Sequence, residues 1–352
     1  MIRVAVLPVA GKEDPTQMLM MQAVGQGGRF EMVHGVHARF FVATRTCLLR
    51  RPALLYFDWI GRYHTGRSPL VTWAKTIAFW FDVQLATKIF RVPIIWSLHN
   101  LRSHEQDGAS QHEDRMQRYF ARHASLVRVF SQSAVERAQA LLRVDHGKLR
   151  MVPVGNYVEY YPNQISSTEA RKRLGLAPGD FVLLWLGSIR PYKGIQELIE
   201  AFRRMAPPHW RLIIAGKPFI ESYAREIIAL AQGDARIQVH PRFIPNDELQ
   251  VYYNAADAMA LPFAEVENTS SLVVAMGFRK PVVAPNLGVI GERLCKQPEL
   301  VYAPGGLVEA LQRLAALPAQ RLAEMGEANF AEVRRFQWGD MGRLFAEVAG
   351  KN

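Results

Sequence analysis

Residues 181–205 read FVLLWLGSIRPYKGIQELIEAFRRM. The six apolar residues at the start form the short unbroken run of a strand buried on both faces. IQELIEAFRRM (195–205) spaces its apolar residues helically, so a helix is expected there. Between them lies GSIRPYKG (187–194), with two cations, Arg190 and Lys193, in a turn stiffened by Pro191 and bounded by Gly187 and Gly194. The glycines allow a tight turn and close backbone approach. The proline fixes its own φ and limits Arg190. A strand end, two cations and the positive end of a helix in one turn suit a pyrophosphate.

The same strand–helix unit recurs along the chain. In the first half IRVAVLPV, ALLYFDW (53–59), VPIIWSLHN (92–100), SLVRVFS (125–131) and LRMVPVG (149–155) read as strands. HEDRMQRYFARHA and SAVERAQALLR read as helices between them. NYVEYYPNQISSTEA (156–170), polar and proline-bearing, interrupts the pattern as a linker. The rhythm restarts with FVLLWLGS, WRLIIAG, IQVHPRF, AMALPF, PVVAPN and LVYAPG. Such alternation implies an α/β chain of two doubly wound parallel sheets facing a cleft, with ligands beyond the carboxyl ends of the strands.

The 352 residues suffice for two domains. With 49% hydrophobic and 21% charged residues the chain is globular, which excludes disordered and fibrous classes. Cys47 and Cys295 lie far apart, without a Cys-x-x-Cys pair or zinc spacing. A reduced, cytosolic chain is expected. The start MIRVAVLPVAG is too short and strand-like for a signal peptide, and no run of 18 apolar residues occurs. The net charge of +11 is uneven: residues 1–160 hold 21 Lys+Arg against 12 Asp+Glu (+9), leaving 22 against 20 (+2) for residues 161–352. A basic first half fits nucleic acid, an anionic membrane surface or a phosphorylated substrate. The region from Arg62 to Arg91, with WAKTIAFWF at its middle, reads either as an amphipathic surface for a membrane face or as a core helix. No nucleic-acid motif accompanies it, which ranks membrane above nucleic acid.

Two further stretches carry chemistry. LPFAEVENTSSLVVAMGFRKPVVAP (261–285) sets a strand before a helix whose cap region is Asn268, Thr269, Ser270 and Ser271. Such residues satisfy free backbone N–H groups, and the same N–H groups bind phosphate. Glu265 and Glu267 precede the cap, where a carboxylate can hold ribose or sugar hydroxyls. SLHNLRSHE (97–105) ends a strand with His99, Asn100, His104 and Glu105. Asp58 ends the strand of ALLYFDW. Asp58, His99 and Glu105 are candidate general bases, with none ranked above the others.

GSIRPYKGIQELIEAF, VYYNAADAMALPF and NTSSLVVAMGFRKPVVAP together resemble the donor half of GT-B glycosyltransferases of the broad family 4 type. FQWGDMGRLFAEV (336–348) is similar to their final helix, which returns to the first domain. The resemblance covers residues 181–348. It implies two Rossmann-like domains: residues 1–160 for the acceptor, 161–335 for the nucleotide-sugar donor, and 336–352 crossing back. Carried over, Arg190 and Lys193 contact the donor diphosphate, with Gly187 beside them. Thr269, Ser270 and Ser271, with Asn268, bind phosphate at their helix start, and Glu267 contacts ribose or sugar. Gly11, in GKEDPTQ, lies in the loop that approaches acceptor and donor phosphate in such enzymes. Arg, Lys and helix ends neutralise charge in this arrangement, so no metal and no cofactor is expected, and the His-x4-His-Glu run is not read as a metal site.

Retaining members carry Glu-x7-Glu, whose second Glu stands where this chain has Val274. A narrower resemblance, on SLHNLRSHE, IRPYKG and ENTSSLVVAMGFRKPVVAP, is to bacterial exopolysaccharide enzymes of the xanthan type. These β-mannosyltransferases move mannose from GDP-mannose to a diphosphate-lipid-linked oligosaccharide and invert the anomeric centre. The resemblance therefore implies an inverting hexosyltransferase in polysaccharide biosynthesis. Its partners would be a nucleotide-sugar donor, a lipid-linked saccharide acceptor and the anionic inner face of the cell membrane, with no nucleic acid. The rivals are a retaining family 4 type transferase using another nucleotide sugar, and a non-catalytic binding protein on the same scaffold.

Overall fold

The computed structural model describes residues 1–11, 15–100 and 110–350. The chain divides into two compact units, one of Met1–Gly155 with Phe336–Asn352, the other of Asn156–Arg335.

The first unit holds β1 (Ile2–Leu7), β2 (Phe30–His34), β3 (Leu54–Phe57), β4 (Ile94–Ser97), β5 (Leu126–Val129) and β6 (Leu149–Met151). They form one sheet, all pairs parallel, in the order β2-β1-β3-β4-β5-β6. The chain leaves β1 toward β2, then returns to place β3 on the other side. The order therefore switches between β1 and β3, and loops after these two strands diverge to leave a crevice. β2 was not among the expected strands. FEMVH is short and only its first residue is buried, because it sits at the sheet edge. An edge strand need not be an unbroken apolar run.

The second unit holds β7 (Phe181–Leu186), β8 (Trp210–Ala215), β9 (Ile237–His240), β10 (Ala258–Ala260), β11 (Val282–Pro285) and β12 (Val301–Tyr302). Their order is β12-β11-β10-β7-β8-β9, again parallel. Here the switch falls between β7 and β10. The helix Ile195–Met205 buries Ile195, Leu198, Ile199 and Phe202, one stripe at helical spacing. Glu197 in its first turn and Arg203 and Arg204 in its last complement the helix dipole. Pro207 and Pro208 follow and prevent its continuation. Phe202 is fully buried, and truncation to alanine would cost about 3–5 kcal/mol.

Residues 336–350 return to the first unit. The helix Met341–Ala349 sets Phe345 edge-on to Phe30 and Tyr56, with centroids 5.9 and 5.6 Å away. Arg150 pairs with Glu347 at 2.9 Å. Trp338 lies against Gly155, where a methyl group would fall 2.3 Å from the indole.

The helix Pro69–Gln84 has one face in the core and one face exposed. Phe79, Asp82 and Val83 are buried in the unit. Leu70, Trp73, Ile77, Trp80 and Phe81 are exposed, and their spacing puts them on one face. Among the described residues no helix is long and apolar enough to cross a membrane.

Candidate functional site

In the second unit both sequence motifs emerge at the switch point, GSIRPYKG after β7 and the Ala264–Ser271 segment after β10. Two glycines let the loops meet. Gly194 has φ 68°, and a side chain there would fall 1.8 Å from the Pro262 carbonyl oxygen. A side chain on Gly216, after β8, would likewise fall 1.8 Å from the Gly187 carbonyl oxygen. The Ala264 N–H donates to the Tyr192 carbonyl at 2.9 Å and ties the two motifs together.

These contacts gather three groups. A methyl placed on Gly187 would stand 3.1 Å from Lys193 Nζ and 3.4 Å from Ser271 Oγ. The Lys193 ammonium lies 5.9 Å from the ring centroids of both Trp185 and Phe263. Burial, with repulsion from Arg190, pulls its pKa down to about 8. The Arg190 guanidinium stacks 3.6 Å from the centroid of Phe219. Two cations held on aromatic faces beside a small open backbone can take an anion with little rearrangement.

The helix Ser270–Gly277 starts beside them, with Thr269 in extended conformation as its cap residue. The Thr269 side chain makes no capping hydrogen bond, so at this residue the expected side-chain cap is not formed. The first-turn N–H groups can then serve a ligand instead. Ser270 is exposed, whereas Asn268, Thr269, Ser271 and Glu267 are half-buried. The Glu267 carbonyl accepts from the Val289 N–H at 3.3 Å, fixing the backbone ahead of the cap. Val274 is buried on the same helix, so an apolar group stands where a retaining enzyme has its second Glu.

In the first unit Asp58 follows β3 at the other switch point and is buried. Its carboxylate accepts from His99 Nε2 at 2.7 Å, from the Tyr56 hydroxyl at 3.1 Å and from Gln17 Nε2 at 3.3 Å. Tyr56 also meets Ser97 Oγ at 2.7 Å, and Arg128 donates to the Tyr56 and Ser97 hydroxyls. Burial raises the Asp58 pKa, but His99 and Arg128 outweigh it, and the carboxyl is held below its ordinary value. The His99 ring is stacked on Trp59, centroids 4.1 Å apart, and tilted against Phe130 at 4.9 Å. In the neutral imidazole, with Nε2 donating to Asp58, Nδ1 is left as an acceptor.

Asp58 and His99, two of the three candidate bases, are thus one hydrogen-bonded pair. Glu105 and His104 lie outside the described residues. Gly11 is exposed with room for a side chain, so its local packing does not require glycine. Gln17, Tyr56, Ser97 and Arg128 had not been singled out from sequence. Arg128 did leave a signal, a lone cation inside the apolar run SLVRVFS. Among the described residues no three His, Cys, Asp or Glu side chains cluster as metal ligands.

Residues 180–316 match the family model described as glycosyl transferases group 1. Over 330 residues the chain is 25% identical to the GDP-mannose:glycolipid 4-beta-D-mannosyltransferase of Xanthomonas campestris pv. campestris, covering 90% of this chain and 86% of that protein. Among solved structures, sucrose-phosphate synthase from Thermosynechococcus elongatus superposes with a TM-score of 0.77 at 18% identity, over 100% of both chains. Anabaena Alr3699/HepE in complex with UDP and glucose gives 0.75, also at 18% identity and over 100% of both chains. The structural likenesses establish a GT-B fold of two Rossmann-like units. The family match and the mannosyltransferase relative make the chain a glycosyltransferase.

Proposed function

We propose that this glycosyltransferase moves mannose from GDP-mannose to a lipid-linked saccharide, inverting the anomeric carbon, at a membrane face. The observation that carries the reading is the convergence of Lys193 Nζ and Ser271 Oγ on Gly187 beside a helix start. In this reading the donor diphosphate lies there, held by Lys193, Arg190 and the N–H groups of the Asn268–Ser271 segment. Glu267 contacts the ribose or the sugar. As the bond from the anomeric carbon to the diphosphate breaks, negative charge grows on the leaving group, and the two cations stabilise it. No metal takes part, so turnover should persist in excess chelator.

The acceptor hydroxyl forms the new bond from the opposite face. His99 Nδ1 takes its proton, and GDP leaves with the electron pair. Asp58 holds the imidazole tautomer and stabilises the imidazolium that results. This favours His99 over Asp58 as the base, because the buried Asp58 carboxylate orients the His99 imidazole. Gly11 stays a candidate for the acceptor loop. Val274 supports inversion, since it cannot supply the carboxylate of a retaining site. The named relative supports GDP-mannose as donor, and the exposed apolar face of the helix Pro69–Gln84 supports a lipid-borne acceptor.

A thermal-shift panel of GDP, UDP, ADP and TDP with their sugars tests the donor. A ligand at a hundred times its Kd stabilises by about 2.7 kcal/mol. GDP and GDP-mannose should give the largest shifts. Stabilisation by another nucleoside diphosphate and none by GDP would overturn this donor.

A further inference from the structure

The adjacent strands β3, β4 and β5 alternate their side chains with a period of two. Tyr56 and Asp58, Ser97 and His99, and Arg128 and Phe130 therefore share one face at the strand ends, with Ser97 and Arg128 as register partners. Arg128 is 3% exposed. It donates to the Val152 and Pro153 carbonyls at 2.9 and 2.7 Å and to the Tyr56 and Ser97 hydroxyls at 3.3 and 3.4 Å. Its guanidinium lies 4.6 Å from the centroid of Phe130, a ring that also touches the His99 imidazole. Among the described residues no carboxylate pairs with Arg128 directly. A buried cation is costly without a counter-charge, and the anion this one reaches, through a single hydroxyl, is Asp58.

The hydrogen bonds run in one direction. A guanidinium has no acceptor, so both hydroxyl oxygens accept from Arg128. Burial and the Asp58 charge raise the Tyr56 pKa, so the phenol keeps its proton and donates it to Asp58 Oδ1 at 3.1 Å. Ser97 Oγ then donates to the Tyr56 oxygen at 2.7 Å. Gln17 and His99 donate to the same carboxylate from its other sides. Every one of these bonds points at Asp58, an arrangement that suits an ionised carboxylate and not a protonated one. Burial opposes that charge, and His99 and Arg128 together outweigh it. Among the described residues the hydrogen bonds and ring contacts bring three titratable groups to the imidazole, Asp58 directly and Tyr56 and Arg128 behind it. With Arg128 as the counter-charge, the imidazole need not be the cation that balances Asp58. We propose that Arg128 is a positioning residue for the base: through the Tyr56 and Ser97 hydroxyls it keeps Asp58 ionised and balanced, so that His99 stands neutral with Nδ1 open to a proton. The inference rests on the reading that His99 is the base.

The test is an NMR titration of the full chain carrying histidine labelled with carbon-13 at ring Cε1. The His99 signal is identified as the one missing from His99→Ala. Arg128→Met fills the space and removes the counter-charge, so the imidazole should hold its second proton to a pH about one unit higher than in the parent. Arg128→Lys keeps a cation and should titrate closer to the parent. Tyr56→Phe deletes the bridging hydroxyl and leaves Arg128 on its two carbonyls. It should move the titration in the same direction by less, and it decides the matter if Arg128→Met does not fold. An Arg128 that merely ties down the Val152 and Pro153 carbonyls would give Arg128→Met a lower thermal transition and an unmoved His99 titration. That result would overturn the inference, as would an unmoved titration in Tyr56→Phe. If the titration moves as expected while His99→Ala keeps its kcat, the base assignment fails and the hold of Arg128 on the pair stands.

Discussion

The two units carry sheets of the same kind and put their functional groups at the same place, the switch point, yet they build them from different material. In the second unit the site is largely backbone. Gly187, Gly194 and Gly216 bring loops into contact, a helix start offers its N–H groups, and two cations rest on aromatic faces. In the first unit the site is a network of side chains. Gln17, Tyr56, Ser97, His99 and Arg128 surround one buried carboxylate. A backbone cradle suits an invariant, strongly charged group such as a diphosphate. A side-chain network suits a proton transfer, because it can fix one tautomer and one pKa. The proposed division of labour follows from that difference.

The largest effect should come from breaking the side-chain site. His99→Ala should lower kcat about 10²–10⁴-fold and leave the Kd of GDP nearly unchanged, with turnover and calorimetry measured on the same preparation. A variant that loses GDP affinity and keeps kcat would assign His99 to the donor instead. Lys193→Ala should come next, at about 10²–10³-fold in kcat, and should weaken GDP as well. Near-normal turnover in that variant would remove Lys193 from the leaving-group site.

A smaller effect separates the two sites by pH. The free Lys193 amine titrates near pH 8, and a bound diphosphate favours its charged form. GDP binding at about pH 8 should therefore take up a fraction of a proton, and affinity should fall as pH rises further. Calorimetry in two buffers of different ionisation enthalpy reads the uptake. Lys193→Arg, which stays charged, should abolish it, whereas undiminished uptake in that variant would point to another group. Asp58 behaves in the opposite sense. Its pKa is lowered on folding, so its stabilising contribution is present above the ordinary carboxylate value and is lost only as pH falls through the lower folded value.

The same contrast explains what the sequence could reveal. GSIRPYKG is eight consecutive residues, and its glycines, proline and cations each have a local meaning. The parallel sheets were legible because eleven of the twelve described strands could be read from stretches such as FVLLWL and VPII. FEMVH was not, because an edge strand needs only one buried residue. The Asp58 network draws on positions 17, 56, 58, 97, 99 and 128, which only the β1-β3-β4-β5 order brings together. No local pattern encodes that adjacency. Residue type drew attention to Asp58 and His99, but their pairing required the fold. The uncapped start at Thr269 was likewise hidden, since cap preference is a property of the residue and its hydrogen bond a property of the loop.

The central claim is a single displacement, with His99 as base and the diphosphate held by the second unit. NMR of the anomeric centre in the product formed from GDP-α-mannose tests it most directly. The account expects a β-linked mannose, made without a chelator-sensitive step. An α-linked product would contradict it, restoring a retaining mechanism and leaving the Asp58–His99 pair without the role given to it here.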